Sequence, residues 1–160
     1  MKSMKVLIVL LVVLLACSLV FAACKDKEEP NGERTFAESD QEEVLKQLKM
    51  DVKMPANAEE VEYSILDKSI AQIDFRIDGN RYVVRISSGK ENDISDNLTV
   101  IADVEEKVTV RDTEFELKYT EDEDGMAIGY DAKAKKNYVF LIMRNCSKDK
   151  LVDIINAIML

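Results

Sequence analysis

The pattern of hydrophobic and polar positions along this chain changes twice. From Val6 to Cys24 no charged residue occurs, and the run then turns abruptly polar at Lys25-Asp26-Lys27-Glu28-Glu29. Next comes a helical period. Val44, Leu45 and Leu48 share one face, and Ser39-Asp40-Gln41-Glu42 forms a capping box, in which the Ser hydroxyl and the Glu carboxylate each take a free amide. A short helix to about Lys49 is predicted. Met50, Val52 and Met54 then alternate with Asp51 and Lys53 in a short extended segment that Pro55 stops.

From Glu60 the period becomes two. Val61, Tyr63 and Ile65 alternate with charged or small polar residues, and Asp67-Lys68-Ser69 breaks the run. Ala71, Ile73, Phe75 and Ile77 then make one apolar face, with Gln72, Asp74 and Arg76 on the other. Asp78-Gly79 signals a tight hairpin, because both residues tolerate the positive φ of a primed turn. The returning strand points Tyr82, Val84 and Ile86 inward and Arg81, Arg85 and Ser87 outward, and the polar stretch Ser88–Asn97 reads as a loop crossing the sheet.

Four further runs follow, at Leu98–Ala102, Lys107–Val110, Glu114–Thr120 and Met126–Ala132. Tyr138–Met143 is apolar on both faces, which predicts a central strand covered on both sides. Ser147 then caps a final helix whose stripe is Leu151, Val152, Ile154, Ile155, Ile158 and Met159, with Cys146 placed to staple against Leu151. One-sided strands with two amphipathic helices predict an α+β fold: an antiparallel sheet with an N-terminal and a C-terminal helix packed on one face.

The uncharged run changes the picture of where the domain works. Lys2 and Lys5 precede it, and Val20-Phe21-Ala22-Ala23-Cys24 closes it. A basic start, an apolar stretch and small residues at its end describe an export signal. This end resembles a bacterial lipoprotein signal, which implies cleavage before Cys24 and a diacylglyceryl group on its sulfur. Cys17 is a competing candidate, but the apolar Leu19, Val20 and Phe21 follow it. Two alternatives stay open: an uncleaved anchor, since the run is near the minimum that spans a bilayer, and ordinary secretion. The lysines hold the start cytoplasmic, so the remainder lies outside. The organisation is therefore a leader over residues 1–23, a lipidated Cys24 with a polar tether over 24–38, and one domain over 39–160. Two acyl chains suffice for a stable anchor.

Charge and composition then exclude much chemistry. The 160 residues carry a formal charge of −9 and no histidine, so neither a Ser-His-Asp triad nor an imidazole metal ligand exists. Loss of the leader takes Lys2 and Lys5 with it and leaves −11. Such a body repels nucleic acid and anionic lipid alike, so the lipid anchor has to hold it at the membrane. With Cys24 acylated, Cys146 has no intrachain partner.

The order of motifs carries a family resemblance over about residues 39–160. The capped helix is followed by Met50-Asp51-Val52-Lys53-Met54-Pro55, by the hairpin Ile73 to Arg85, and by Glu91-Asn92-Asp93-Ile94-Ser95-Asp96. Val108-Thr109-Val110, a further strand and the Ser-capped helix complete the order. It resembles exported proteins of Gram-positive, clostridia-like bacteria that carry the domain of unknown function 4367. Asp96 and Tyr130 depart from that pattern, which has Gly and Trp near these places. The resemblance implies a surface lipoprotein of α+β fold and no particular activity.

Candidate chemistry is sparse. Glu121-Asp122-Glu123-Asp124-Gly125, with Thr120 and Asp131, imitates part of a calcium loop but has Thr in place of its first Asp and Asp in place of its last Glu, so a solvated hairpin turn is expected. Ser87-Ser88-Gly89-Lys90 and Ser95-Asp96-Asn97 match two short motifs of penicillin-recognising enzymes, but no Lys-Thr-Gly follows and the chain is too short for that fold. Lys133, Lys135 and Lys136 make a basic turn at the far end of one strand from the acidic turn. Cys146 reads as a buried or capping residue, and Arg81 and Arg85 as cross-strand partners of Asp74 rather than an anion site. No catalytic residue, cofactor or metal is expected. The expectation is a non-enzymatic binding or interaction module of the cell envelope, with an envelope protein as partner; the alternative is a carrier of a lipid or small hydrophobic ligand.

Overall fold

A computed structural model describes residues 36–39, 41–50 and 52–159. Its backbone forms β1 (Phe36–Ser39), α1 (Gln41–Leu48), β2 (Glu59–Leu66), β3 (Ile70–Ile77), β4 (Asn80–Ser88), β5 (Val104–Val110), β6 (Thr113–Tyr119), β7 (Gly125–Asp131), β8 (Lys136–Met143) and α2 (Lys148–Ile158). All eight strands join one open antiparallel sheet in the order β1-β2-β3-β4-β8-β7-β6-β5. The leader, Cys24, most of the tether, and the side chains of Ser39 and Glu42 in the predicted capping box lie outside the described residues.

Turn chemistry sets the hairpins. Asp78 and Gly79 adopt φ of 51° and 78° and close Ile77 against Asn80, the primed turn the sequence predicts. Arg111 and Asp112 adopt φ of 49° and 67° and close Val110 against Thr113 in the same way. Among the described residues one connection crosses the sheet: β4 and β5 lie apart in strand order, and residues 89–103 bridge them.

β8 sits between β4 and β7, and Tyr138 to Ile142 are buried on both faces, as its doubly apolar pattern requires. On one face Phe115, Tyr138 and Phe140 pack ring against ring at centroid distances of 6.0 to 6.5 Å, with Ile73, Val84 and Ile142 in the same cluster. Val44 of α1 and Leu151, Ile154, Ile155 and Ile158 of α2 belong to that cluster too. Ser147 Oγ accepts from the Lys150 amide and starts α2, while the Arg111 guanidinium reaches the carbonyls of Asn156 and Met159 at its other end. That places a cation at the negative pole of a helix with no basic residue in its own last turn.

Three sequence expectations need correction. Leu98–Ala102 is not a strand. Leu98 and Val100 belong to the crossing loop and pack partly buried against the Ile94 cluster, whereas Ile101 is 93% exposed, so the alternation reports loop packing. The tether expected over 24–38 ends earlier, because Phe36–Ser39 forms β1 and pairs with β2. Arg85 and Ser87 have the predicted outward parity yet are buried, because the crossing loop covers that side of β4.

Candidate functional site

The face opposite the aromatic cluster is divided. Over β2, β3, β4 and β8 it is sealed by Ile94 of the crossing loop, only 1% exposed, which packs with Leu66, Ile70, Val83, Val139 and Leu141. Two buried polar residues hold this seal. Arg85 donates from Nη1 to the carbonyls of Ser95 at 2.6 Å and Ile94 at 3.2 Å, and from Nε to Gln72 Oε1 at 2.8 Å. Gln72 in turn donates to Asp74 at 2.7 Å, and Asp74 accepts the fork of Arg81 at 2.5 and 3.1 Å. The predicted pairing of Arg81 with Asp74 is therefore formed, while Arg85 instead clamps the loop. Asn137 secures the loop's first half: its Oδ1 accepts from the Asn92 amide at 2.8 Å, and its Nδ2 donates to the Lys90 carbonyl at 3.0 Å and Ser87 Oγ at 3.2 Å.

The Ile94 cluster also buries Met126 of β7, and the face is open over β5, β6 and the Ile128–Tyr130 end of β7. A groove of about 380 Å³ runs between the loop and the far edge of the sheet. Ile128, Gly129 and Tyr130 contribute from β7, Glu91, Asn92 and Asp93 form the loop wall, and Lys107, Glu114, Glu116 and Lys118 come from β5 and β6. The Tyr130 hydroxyl donates to the Gly89 carbonyl at 3.2 Å, fixing the ring beside the loop. Lys107 meets Glu114 at 2.6 Å and Lys118 meets Glu116 at 2.8 Å, so two further carboxylates, on Glu91 and Asp93, set the sign of the lining. An acidic groove with one aromatic wall and several amides is chemically complementary to polar groups that carry positive charge. Sequence reasoning missed it because the register of three strands assembles it.

The other sequence candidates are structural. The acidic turn between β6 and β7 exposes Glu121, Asp122 and Glu123, but its backbone is zipped to residues 144–146. The Asp122 and Glu123 carbonyls accept from the Asn145 and Cys146 amides at 3.0 and 2.8 Å, and the Cys146 carbonyl accepts from Asp122 at 2.8 Å. Asp124 Oδ1 accepts from the Arg144 amide at 2.8 Å. Among the described residues no group of three Cys, Asp or Glu side chains is placed to hold a metal. Ser87 Oγ is occupied by Asn137, and the Ser95 carbonyl by Arg85. Lys133 pairs with Asp112 at 3.0 Å on the surface. Cys146 is fully buried, and burial, with Glu121 adding to it, pushes its thiol up to about 12. Such a thiol is a packing group, since the thiolate is the nucleophile.

No described helix is long and apolar enough to cross a membrane. The chain matches no protein-family model, no curated protein and no solved structure.

Proposed function

We propose that this chain is a membrane-anchored extracytoplasmic lipoprotein, held through a diacylglyceryl group on Cys24, whose domain is a non-enzymatic binding module of the cell envelope. On this reading it is a relative of the exported proteins that carry the domain of unknown function 4367. In the same reading both helices pack on one face of the sheet, and the part of the other face that the crossing loop does not seal serves for contact. The leader pattern, two lysines before an uncharged run that ends at Cys24, supports the address. The groove over β5–β7 is the observation that carries the binding role, and its charged and amide lining favours a polar partner over a lipid. The partner is an envelope protein that presents a basic segment to Glu91, Asp93, Glu114 and Glu116.

Two experiments test the two halves. Replacing Cys24 by Ala releases the chain from membranes; unchanged retention means the leader itself is the anchor. A photo-crosslinker at Tyr130 in intact cells captures the partner, and Glu91→Lys with Asp93→Lys abolishes capture. Equal capture after this charge reversal, or from a crosslinker at the far-side position Asp153, removes the groove from the account.

A further inference from the structure

β5 is an edge strand with an unsatisfied side. It pairs with β6 over all seven residues without a register shift and ends the strand order. Because Val110 and Thr113 close a two-residue turn, they form a hydrogen-bonded pair. The alternate residues Glu105, Lys107 and Thr109 therefore direct their backbone N–H and C=O groups away from β6. Among the described residues no backbone hydrogen bond outside the ladder reaches these three. Such a row of free groups is a template for another strand. The large apolar side chains exposed among the described residues, Ile101 at 93% and Val104 at 38%, lie at the head of this same strand.

We infer that β5 is a self-pairing edge: two copies of this chain join antiparallel through β5 about a two-fold axis at Glu106. Faces are preserved only when the axis is perpendicular to the sheet, so opposed residues must have the same parity, and charge selects among the registers that remain. An axis at Lys107 sets the two lysines against each other, and an axis at Glu105 does the same for two carboxylates. An axis at Glu106 sets Glu105 opposite Lys107 of the second copy, twice. It also sets half-exposed Val104 against Val108 of the second copy, twice, on the opposite face. The two Glu106 side chains then meet at the axis, but each is already held by Lys148 at 2.5 Å and by the Tyr119 hydroxyl at 3.0 Å. Lys107 lies between its own Glu114, 2.6 Å away, and the incoming Glu105, completing a charge ladder across the seam. The charges on the edge oppose the two registers on either side of this one, with axes at Glu105 and Lys107.

The contact is narrow, and surface ion pairs add little, so the dimer is weak in dilute solution. Two copies confined to one membrane are concentrated relative to each other, which strengthens the association without any new contact. The seam would also set the two β5–β7 grooves side by side. The pairing does not depend on what occupies them.

Disulfide trapping in the detergent-purified full chain tests the register. Val104→Cys with Val108→Cys gives an oxidised dimer, whereas either single variant gives none, because neither position lies opposite itself. Lys107→Glu in the double-cysteine background lowers trapping about tenfold by opposing two carboxylates. Adding Glu105→Lys restores it. Thermal melts of the same variants separate loss of pairing from loss of fold. No dimer from a folded double-cysteine chain, equal dimer from the single variants, or no recovery on the second charge change would each overturn the inference.

Discussion

Arg85 Nη1 lies 2.6 Å from the carbonyl oxygen of Ser95, and this bond joins the centre of the sheet to a loop ten residues further along the chain. Arg85 is 3% exposed, so the loop carbonyls it serves are sealed from water with it. Removing a donor from such a site leaves buried acceptors unpaired, which costs more than the bond itself is worth. Replacement by Met is expected to destabilise the domain by about 2–4 kcal/mol in urea unfolding. Lys, which has no fork, recovers only part of this. Amide exchange should accelerate first in residues 92–97, where Ile94 loses its clamp. A loss below about 0.5 kcal/mol would mean that Ile94 alone seals the face.

Two glycines in β7 are required by close approach. A Cβ on Gly129 would sit 2.5 Å from the Phe115 ring, and one on Gly125 would sit 2.2 Å from Cys146 Sγ and 2.9 Å from Tyr119 Cβ. Phe115 is fully buried in the aromatic cluster and has no room to retreat. Gly129→Ala should cost about 1–3 kcal/mol, read from thermal or urea unfolding. Gly125→Ala should cost less when Cys146 is also Ala, since that removes the nearer clash. The relief should be incomplete, because Tyr119 Cβ remains. Additive effects would show that the backbone shifts there instead.

Much of this fold is written in local pattern. The period of two in β3, β4 and β6 follows from one apolar face, Asp78-Gly79 marks its own turn, and β8 is identified as central because Tyr138 to Ile142 offer no polar face. What escapes local pattern is burial imposed from a distance. Gln72 and Arg85 sit at outward positions, and only the crossing loop, anchored by Ile94 and Asn137, makes them interior. Leu98–Ala102 alternates like a strand because Leu98 and Val100 pack onto the covered face as loop residues. The groove is the least legible feature of all, since Glu91, Glu114 and Tyr130 come from three separate elements.

Glu106 links the edge strand to α2, and its carboxyl is held below its ordinary value of 4.5 by the Lys148 ammonium first and the Tyr119 hydroxyl second. A carboxylate whose folded pKa is depressed stabilises the fold above its unfolded pKa and loses that contribution as pH falls through the folded value. The melting temperature of the parent chain should therefore exceed that of Glu106→Gln at neutral pH. The gap should close progressively as pH is lowered from about 4.5. A gap that stays constant to the lowest pH at which both chains fold would show that packing, rather than charge, separates them.

Cys146 offers the sharpest reading of local opening. Its thiol, pushed up to about 12 mainly by burial, keeps its proton in the folded chain at any ordinary pH, while the unfolded thiol titrates near 9.0. Because the thiolate is the reactive form, alkylation at pH 8 should leave the Cys146 peptide unmodified in the native protein and modify it fully in urea, as read by mass spectrometry. The same difference has a thermodynamic side. The folded state holds a proton that the unfolded state releases above 9.0, so stability falls as pH rises from there towards 12. Tyr138, likewise pushed to about 12 by burial, adds to the decline at the upper end. Cys146→Ala should flatten the first part of this alkaline decline and leave the Tyr138 part in place. Rapid native alkylation would show instead that the junction between the acidic turn and residues 144–146 opens readily, breaking the bonds from Asn145 and Cys146 to the Asp122 and Glu123 carbonyls.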